Sequence, residues 1–461
     1  NAMANVIVEE QLFDPKFLDK RVEGWEVFKK FISEWTPERA ADICQIDAQL
    51  IREAARLYAT ASPSMCFHGL GLTEHTQGTE SVMALVNLAL ITGNIGKPGS
   101  GINPLRGQNN VQGAAVMGCE PGSYTGLASV KKDRARFEKL WNTNLPDKKG
   151  LNLLEMIDAA ALGKLKSMWI VGYDVYFTMP DSSHTEKAFQ NLDLLIVQDM
   201  FLTETAKRFA NVFLPVASSF EKEGTFMNSE RRIQRIRKVI PPHDTVKSDS
   251  EIICAMAEKM DKKMLFNYSS TEDIWNEIRE AWKAVFGITY QRLEKNGIQW
   301  PCPDENHPGT EILHEKKFPI GDKANLFQID YTPTPEQATE LFPFILTTGR
   351  ELYHFNSGTM TYRTANKNII SSDFLHIHPD DAVLIKLKNG EQAKIISKYG
   401  TTVLQVKTDN NIRKGECFTT FSNSEVFTNK ITGPFRDKYV QTPEYKITSV
   451  RIEKIEKQLN S

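Results

Sequence analysis

The sequence has few cysteines, and none of them are closely spaced. No two of its six cysteines lie within four residues of each other. Iron–sulfur clusters and structural zinc sites need Cys or Cys/His ligands at short spacing, so neither is predicted within this chain. The nearest His pair, His376 and His378, we interpret as alternate residues at a strand end. Scattered cysteines favour a reducing compartment, and we expect a cytoplasmic location. The cysteines are Cys44, Cys66, Cys119, Cys254, Cys302 and Cys417.

Long hydrophobic runs and a strong net charge are also absent. The longest apolar run, residues 83–91, is interrupted by Asn87. It is shorter than the ~20 residues that span a bilayer, so no transmembrane segment is predicted. A net charge of −2 suggests no nucleic-acid partner, and a hydrophobic content of 41% excludes a disordered chain. At 461 residues the chain is expected to form several domains.

Amide side chains are concentrated in residues 106–113, which we call the octapeptide. It carries one guanidinium, two glutamines, two asparagines and two glycines. Amides offer both donors and acceptors, and glycine lets the backbone approach a ligand closely. We interpret the octapeptide as a cradle for a large, heteroatom-rich cofactor, with Arg106 as its fixed charge. A polar surface loop that is rich in Asn is the alternative. The candidate binding residues are Gln108, Asn109 and Asn110.

Three short apolar runs alternate with amphipathic helices between residues 151 and 218. The pattern predicts a parallel, doubly wound sheet. In such sheets ligands bind beyond the carboxyl ends of the strands, so the residues that follow the strands are candidates. The runs are residues 168–171, 194–197 and 212–214, and the candidates are Gly172, Asp174, Gln198 and Asp199.

Asp174 and Asp199 each permit two interpretations. A carboxylate at such a place can accept hydrogen bonds from guanine N1 and N2 or from ribose hydroxyls. The alternative is a cap on the following helix, which begins near Thr203 and Thr205.

The first hundred residues predict helices at 37–58 and 80–92, with a short strand at 65–68 between them. Gly69 and Gly71 follow the strand, and Gly93 is the expected C-cap of the second helix. A strand, a Gly-x-Gly turn and a helix are the parts of a dinucleotide or phosphate site. A simple tight turn explains the two glycines equally well.

The second half of the chain changes character at residue 343. Before it, a charged and mixed region predicts amphipathic helices at 249–260 and 272–286. After it, short apolar runs are separated by glycine turns, which predicts a small closed β-barrel. The runs are residues 344–348, 393–396, 402–406 and 417–421, and the turns are at Gly390, Gly400 and Gly415.

Motifs spread over nearly the whole chain resemble the alpha (catalytic) subunit of molybdenum or tungsten formate dehydrogenases, within the bis-molybdopterin guanine dinucleotide enzymes. The matching segments are residues 36–41, 47–55, 69–75, 90–99, 106–113, 226–234, 347–351 and 442–446. The resemblance implies an α/β multidomain protein in which the barrel is of the double-psi type. It also implies bis-molybdopterin guanine dinucleotide with molybdenum or tungsten as the cofactor, and formate as the substrate.

The resemblance also assigns roles to residues. Arg106 matches the family's substrate arginine, and Arg is suited to this because it stays charged and presents a planar fork to a carboxylate. A structural ion pair is the alternative for it. Asn423, Asn429 and Tyr445 match positions that line a pterin dinucleotide. Val116 departs from the pattern, because an acidic residue is expected there.

A loop in the barrel carries further candidates. Dense hydroxyl groups and a cation in one loop suit a diphosphate or a pterin edge. His354 permits another interpretation, as a histidine whose hydrogen bonds are satisfied within the fold. The candidates are Thr348, Gly349, Arg350, His354 and Thr359.

Four domains are expected from these patterns. Residues 1–105 form a partial α/β substrate or cofactor domain, and residues 106–218 a doubly wound pterin dinucleotide-binding domain. Residues 219–330 form a mixed helical segment that completes an N-terminal domain. Residues 331–461 form a C-terminal β-barrel that binds a second pterin dinucleotide.

Family members begin with a cysteine-rich [4Fe-4S] segment and a Cys or selenocysteine that ligates the metal. This chain shows neither, and Asn1-Ala2-Met3 is typical of a cloning remnant. We therefore expect a C-terminal fragment that is inactive by itself, with the remaining N-terminal part and electron-transfer subunits or an NAD-reducing subunit as partners. A related pterin oxidoreductase, such as one that acts on nitrate, and a metal-free structural subunit of the same fold are the alternatives.

Overall fold

The computed structural model describes residues 1–455, and its first part is a layer of helices around an apolar core. Ile7, Phe28, Ile32 and Leu90 are fully buried in this core. The helix predicted at 37–58 is two helices, because Gln45 between them has a φ of 52°. The elements are α1 (Ala2–Glu9), α2 (Pro15–Arg21), β1 (Val22–Glu23), α3 (Trp25–Ile32), α4 (Pro37–Cys44), α5 (Ala48–Thr60), β2 (Met65–His68), α6 (Leu70–Thr73), α7 (Gly78–Ile91) and β3 (Gly101–Pro104).

The second part contains the predicted parallel sheet. Its strand order is β6-β7-β8, and both pairs are parallel, which confirms the prediction. Ile170, Leu195 and Val197 are buried between this sheet and the surrounding helices. The elements are α8 (Val111–Val116), β4 (Ser123–Tyr124), β5 (Ala128–Ser129), α9 (Arg134–Trp141), α10 (Leu153–Ala161), β6 (Ser167–Val171), α11 (Val175–Thr178), α12 (Ser182–Gln190), β7 (Leu194–Asp199), α13 (Glu204–Phe209) and β8 (Val212–Pro215).

The third part holds an antiparallel sheet that the sequence did not predict, with strand order β11-β10-β9. Both predicted helices are present, the second ending earlier than expected. Val116 packs into the core of this part against Met227 and Trp282, an apolar environment that suits valine. The elements are β9 (Gly224–Met227), β10 (Arg232–Ile236), α14 (Asp249–Lys259), α15 (Thr271–Ala281), β11 (Ile298–Gln299) and β12 (Ala324–Asn325), which pairs in parallel with β1.

The last part is a closed six-stranded barrel, as predicted. Its strands run in the order β13-β17-β14-β16-β15-β18, with two parallel pairs, β13 with β17 and β14 with β16. β18 was not predicted, and β14 was expected only from the histidine pair, which we interpreted as lying at a strand end. His376 lies in β14, and His378 caps the helix that follows. The elements are β13 (Phe344–Thr348), β14 (Phe374–Ile377), α16 (Pro379–Leu384), β15 (Gln392–Ile396), β16 (Thr401–Thr408), β17 (Glu416–Thr419) and β18 (Thr448–Lys454).

Each part has its own apolar core, but the chain crosses between them. Phe427, from the loops of the barrel, packs in the core of the parallel sheet, and Phe318 and Leu326 pack in the first core. The divisions after residues 105, 218 and 330 stay predictions. Within residues 1–455, no helix has the length and apolar character needed to cross a membrane. Short 3-10 helices lie at Lys263–Leu265, Lys283–Val285, Arg292–Glu294, Thr361–Arg363, Ala365–Asn368 and Thr428–Lys430.

Candidate functional site

A cavity of about 370 Å³ lies where the carboxyl ends of β6 and β7 meet the loop after β13. We call it the main cavity. It has the position expected for a ligand of a parallel sheet, closed on the other side by the barrel. Eight of the candidates from the sequence line it: Gln108, Gly172, Asp174, Asp199, Arg350, Thr359, Asn429 and Tyr445.

The strand ends supply an acidic wall. Asp199 is 7% exposed, and one carboxylate oxygen accepts a hydrogen bond from the backbone N–H of Phe201 at 3.0 Å. Burial raises the pKa of Asp199. Since a carboxylate has about four lone-pair sites, Asp199 keeps acceptor capacity for a ligand donor such as a guanine N–H.

Asp174 has a different environment. Its Oδ1 accepts hydrogen bonds from the N–H and the hydroxyl of Thr205, at 2.9 and 2.7 Å, and its Oδ2 accepts from the N–H of Glu204 at 3.1 Å. These are free donors at the start of α13, so Asp174 caps that helix from the neighbouring strand, together with Thr203. The capping interpretation therefore accounts for most of its hydrogen bonds, although the residue also lines the cavity.

Glycine is required at Gly172, which leads out of β6 into the main cavity. Its φ is +64°, a conformation that side chains disfavour. No atom lies within 4 Å of the place where a Cβ would stand. A ligand can therefore approach this stretch of backbone closely.

The barrel loop supplies a cation to the main cavity. Arg350 donates from Nη2 to Oδ1 of Asn356 at 2.7 Å, and the Nε2 of Gln108 donates to the same oxygen at 3.1 Å. Asn356 was not among the candidates, and it joins the octapeptide to the barrel. Within residues 1–455, no carboxylate forms an ion pair with Arg350, so its charge is available to an anionic ligand.

Asn429 and Tyr445 hold the end of α11, the short helix that follows β6. The amide nitrogen of Asn429 donates to the carbonyl oxygens of Phe177 and Thr178, both at 3.1 Å. The hydroxyl of Tyr445 donates to the carbonyl of Thr178 at 2.9 Å. Both residues line the cavity, and both fix the backbone that follows Asp174.

A buried ion pair, which the sequence analysis did not single out, borders the same cavity. The Nζ of Lys446 lies 3.2 Å from Oε2 of Glu74, and both side chains are less than 15% exposed. Burial raises the pKa of Glu74, and Lys446 acts in the opposite direction. Glu74 and Lys446 each stand in a segment that resembles the family, and only the fold brings the two segments together.

The octapeptide lines a second cavity of about 450 Å³, which we call the octapeptide cavity. Its other wall is the hairpin of β9 and β10. Arg106 is exposed to it and forms no ion pair with residues 1–455, so the structure does not place it in a structural ion pair. Arg106 and burial lower the pKa of the nearby His68, with burial the larger cause. Gln108 lines both cavities, which therefore adjoin.

Asn110 has a structural contact of its own. Its φ is 59°, and its Oδ1 accepts a hydrogen bond from the N–H of Met227 at 2.9 Å. A Cβ on Gly113 would stand 2.1 Å from that oxygen, so glycine is required there. Asn110 thus joins the octapeptide to β9, and Asn109 lines the same cavity.

Several candidates do not line either cavity. The amide of Gln198 donates to Asp249 at 2.8 Å, and Gln198 is fully buried. His354 is stacked on Tyr362, and its ring nitrogens contact Thr361 and the carbonyl of Ile370, so the satisfied structural histidine is the interpretation that the structure favours. The full set outside the two cavities is Gly69, Gly71, Gln198, Thr348, Gly349 and His354.

Thr348 and Gly349 have packing roles in the barrel. The hydroxyl of Thr348 donates to the carbonyl of Tyr445 at 2.8 Å, which positions the segment that carries Lys446. A Cβ on Gly349 would stand 2.4 Å from the ring of Phe418. Within residues 1–455, no three His, Cys, Asp or Glu side chains are grouped so that they could hold a metal ion.

Together these features define a protein that binds a ligand between a parallel sheet and a closed barrel. A parallel sheet and a closed barrel enclose a cavity that offers a buried carboxylate, an unpaired guanidinium and an open backbone, as a nucleotide-bearing ligand requires. Residues 1–259 match the family described as Molybdopterin oxidoreductase, and residues 344–449 match the Molydopterin dinucleotide binding domain.

Individual relatives agree with these matches. The chain is 44% identical to the F420-dependent formate dehydrogenase subunit alpha of Methanocaldococcus jannaschii, over 99% of this chain and 68% of that protein. It is 36% identical to formate dehydrogenase H of Escherichia coli, over 99% and 64%. The chain belongs to the molybdopterin oxidoreductase family, and within it to the formate dehydrogenase alpha subunits, which confirms the resemblance.

A solved structure supports the fold. Acetylene hydratase from Pelobacter acetylenicus superimposes with a TM-score of 0.77, covering 98% of this chain and 69% of that one. At 18% identity this likeness concerns the fold alone.

Proposed function

We propose that this chain forms the part of a formate dehydrogenase that holds the pterin cofactor and the substrate. The reaction is the oxidation of formate to carbon dioxide, with the release of one proton and two electrons. The observation that carries the proposal is Arg106, a guanidinium without a carboxylate partner in residues 1–455, which lines a cavity without acidic side chains. The relatives named as formate dehydrogenases support it.

The proposal also includes the identity of the cofactor and the residues that would hold it. Membership of the family supports a molybdopterin dinucleotide, and the lining of the main cavity offers donors and acceptors for part of one. Asp199 would accept hydrogen bonds from the guanine, while Arg350 and the open backbone at Gly172 would face the diphosphate. When bound, two such pterins would supply a molybdenum or tungsten centre that accepts the two electrons.

Arg106 would hold formate by its carboxylate. Guanidinium matches the two oxygens with two parallel N–H donors and stays charged at every working pH. With both oxygens held, the C–H bond would point away from Arg106. The proton released on oxidation requires an acceptor, and His68, whose pKa is lowered by burial and by Arg106, lies nearby.

The proposal also covers the location of the enzyme, its partner subunits and its electron acceptor. We propose a cytoplasmic enzyme, because all six cysteines are free thiols. We also propose that it passes electrons to partner subunits. The relative from Methanocaldococcus jannaschii is named for F420, whereas the sequence led us to consider NAD. Parallel assays of the holoenzyme with F420 and with NAD would identify the acceptor.

The test is an assay of the cofactor-loaded holoenzyme that contains this chain. We expect formate to reduce a viologen dye, and we expect no turnover of nitrate under the same conditions. Elemental analysis would then identify molybdenum or tungsten. Nitrate turnover without formate oxidation would contradict the substrate, and a folded holoenzyme without either metal would contradict the cofactor.

A further inference from the structure

The octapeptide cavity has an unusual lining. Two arginines, Arg106 and Arg235, line it, and the remaining polar side chains are the amides of the octapeptide and the hairpin and the hydroxyl of Ser229. No Asp or Glu is among its lining residues. The main cavity, by contrast, is lined by three carboxylates, those of Glu74, Asp174 and Asp199.

Arg235 is held in place by packing, but not all of its hydrogen-bond donors have an acceptor in residues 1–455. Its side chain is 10% exposed, and its guanidinium stacks over the ring of Tyr290 at 3.6 Å. Its Nε–H is buried and has no acceptor among residues 1–455. Leaving such a donor unpaired costs free energy, and the cost is larger for a charged group.

The only carboxylate that forms an ion pair with Arg235 in residues 1–455 is that of Glu223. The Nη2 of Arg235 lies 3.6 Å from Oε2 of Glu223, which is longer than a hydrogen bond. Glu223 is 46% exposed, so water screens this pair. The guanidinium therefore keeps donors for another anion, which would compete with Glu223 for its charge.

We propose that the octapeptide cavity binds an oxyanion, and that Arg235 is its second cationic contact beside Arg106. Two guanidinium groups, surrounded by amide donors and without a carboxylate in the lining, form a site that attracts a carboxylate or a phosphate group. The anion is either the substrate formate, waiting beside Arg106, or a phosphate of the pterin dinucleotide. Both alternatives rest on the proposed function, the formate alternative on its substrate and the phosphate alternative on its cofactor.

Isothermal titration of the full chain without cofactor, at low ionic strength, would use sodium formate and sodium pyrophosphate as separate probes. We expect at least one to bind, and the one that binds identifies the source of the anion. The Arg235→Gln variant should bind it about tenfold more weakly or worse, the loss expected for a charged hydrogen bond. The matched control is Arg237→Gln, an exposed arginine that is paired with Glu294 and does not line the cavity.

The Glu223→Gln variant sharpens the test because it leaves Arg235 in place. Removal of the competing carboxylate should tighten binding of the anion, an effect that a merely structural Arg235 would not produce. This variant also decides the question if Arg235→Gln does not fold. The inference is overturned if neither probe binds to the folded wild-type chain, if Arg235→Gln and Arg237→Gln weaken binding equally, or if Glu223→Gln leaves binding unchanged or weaker.

The two proposals fail in different ways. A holoenzyme that does not oxidise formate, while its chain binds pyrophosphate in a manner that depends on Arg235, would contradict the proposed function and support this inference. Formate oxidation by the holoenzyme with no anion binding to the chain would support the proposed function and contradict this inference.

Discussion

Two arginines in this chain line cavities and form no ion pair within residues 1–455. Arg106 and Arg350 have no ion pair within residues 1–455, whereas Arg436 is bound by both oxygens of Asp158 at 2.7 and 3.1 Å. The sequence marked Arg106 and Arg350 because each stands among amides or hydroxyls. Unpaired guanidinium groups at two adjoining cavities support a ligand with more than one negative charge.

The buried pair of Glu74 and Lys446 gives the stability a pH dependence. Burial raises the pKa of Glu74 above its ordinary value of 4.5, so the folded chain holds this proton more tightly than the unfolded chain. Its contribution to stability is therefore complete below pH 4.5 and is lost as the pH rises through the raised pKa. We expect the Glu74→Gln variant, which cannot ionise, to lose less stability than the wild type towards neutral pH.

Denaturant unfolding of the two proteins at a series of pH values measures this difference. Glu9→Gln, at an exposed position, is the control and should follow the wild type. The same pH dependence in Glu74→Gln and the wild type would show that Glu74 is not the cause.

At the scale of elements, the end of α11 is held by residues of the segment between β17 and β18 of the barrel. Tyr445 and Asn429 direct three donors at the carbonyls of Phe177 and Thr178. We expect Tyr445→Phe to cost about 0.5–1.5 kcal/mol, because it removes one hydrogen bond while Asn429 still satisfies the carbonyl. Hydrogen exchange should show faster opening of residues 172–178 in this variant. Tyr439→Phe, whose exposed hydroxyl contacts Glu80 at 3.4 Å, is the control, and equal exchange in the two would contradict the account.

The start of α8 depends on a glycine. A Cβ at residue 113 would stand 2.1 Å from Oδ1 of Asn110, the oxygen that accepts from Met227. We expect Gly113→Ala to destabilise the chain by about 1–3 kcal/mol through overpacking and loss of that hydrogen bond. Thermal unfolding measures the change. Gly69→Ala should be nearly neutral, since no atom lies within 4 Å of a Cβ there, and equal effects of both changes would contradict the reasoning.

At the scale of the whole molecule, residues 433–446 join the barrel to the other parts. Asp437 is fully buried and accepts hydrogen bonds from the N–H and the hydroxyl of Thr79, at 3.0 and 2.9 Å. Glu444 accepts from the N–H of Thr76 and from the hydroxyl of Thr334. This segment ends at Tyr445 and Lys446, so it places the cavity wall relative to α7.

The Asp437→Asn variant tests this connection. We expect a loss of about 1–3 kcal/mol, because the amide replaces one of the two charged acceptor oxygens with a donor. Thermal unfolding provides the measurement. Asp147→Asn, at an exposed position without an ion pair in residues 1–455, is the matched control, and an equally small effect of both would contradict the role of Asp437.

The sequence predicted those parts of the molecule whose signals are local. Apolar strands and helical periodicity gave the parallel sheet and four barrel strands, and the octapeptide marked one cavity. β18 was missed, and β14 was indicated only by the histidine pair at its end, because strands of mixed polarity carry a weak pattern. The pairing of Glu74 with Lys446 and of Asn356 with Gln108 could not be predicted in this way, because only the folding of distant segments onto each other brings these residues together. His354 shows the converse: a reactive residue type in a promising loop whose nitrogens the fold already uses.

The most direct test of the central claim is formate-dependent dye reduction by the holoenzyme with Arg106→Ala beside Arg134→Ala, a matched change at an arginine that lines neither cavity. We expect Arg106→Ala to lose most of kcat/KM, about 100-fold or more, because formate loses a bidentate charged partner. Arg134→Ala should retain wild-type activity, and both proteins should contain the same amount of metal and pterin. Wild-type kcat/KM in a cofactor-loaded Arg106→Ala enzyme would contradict the account.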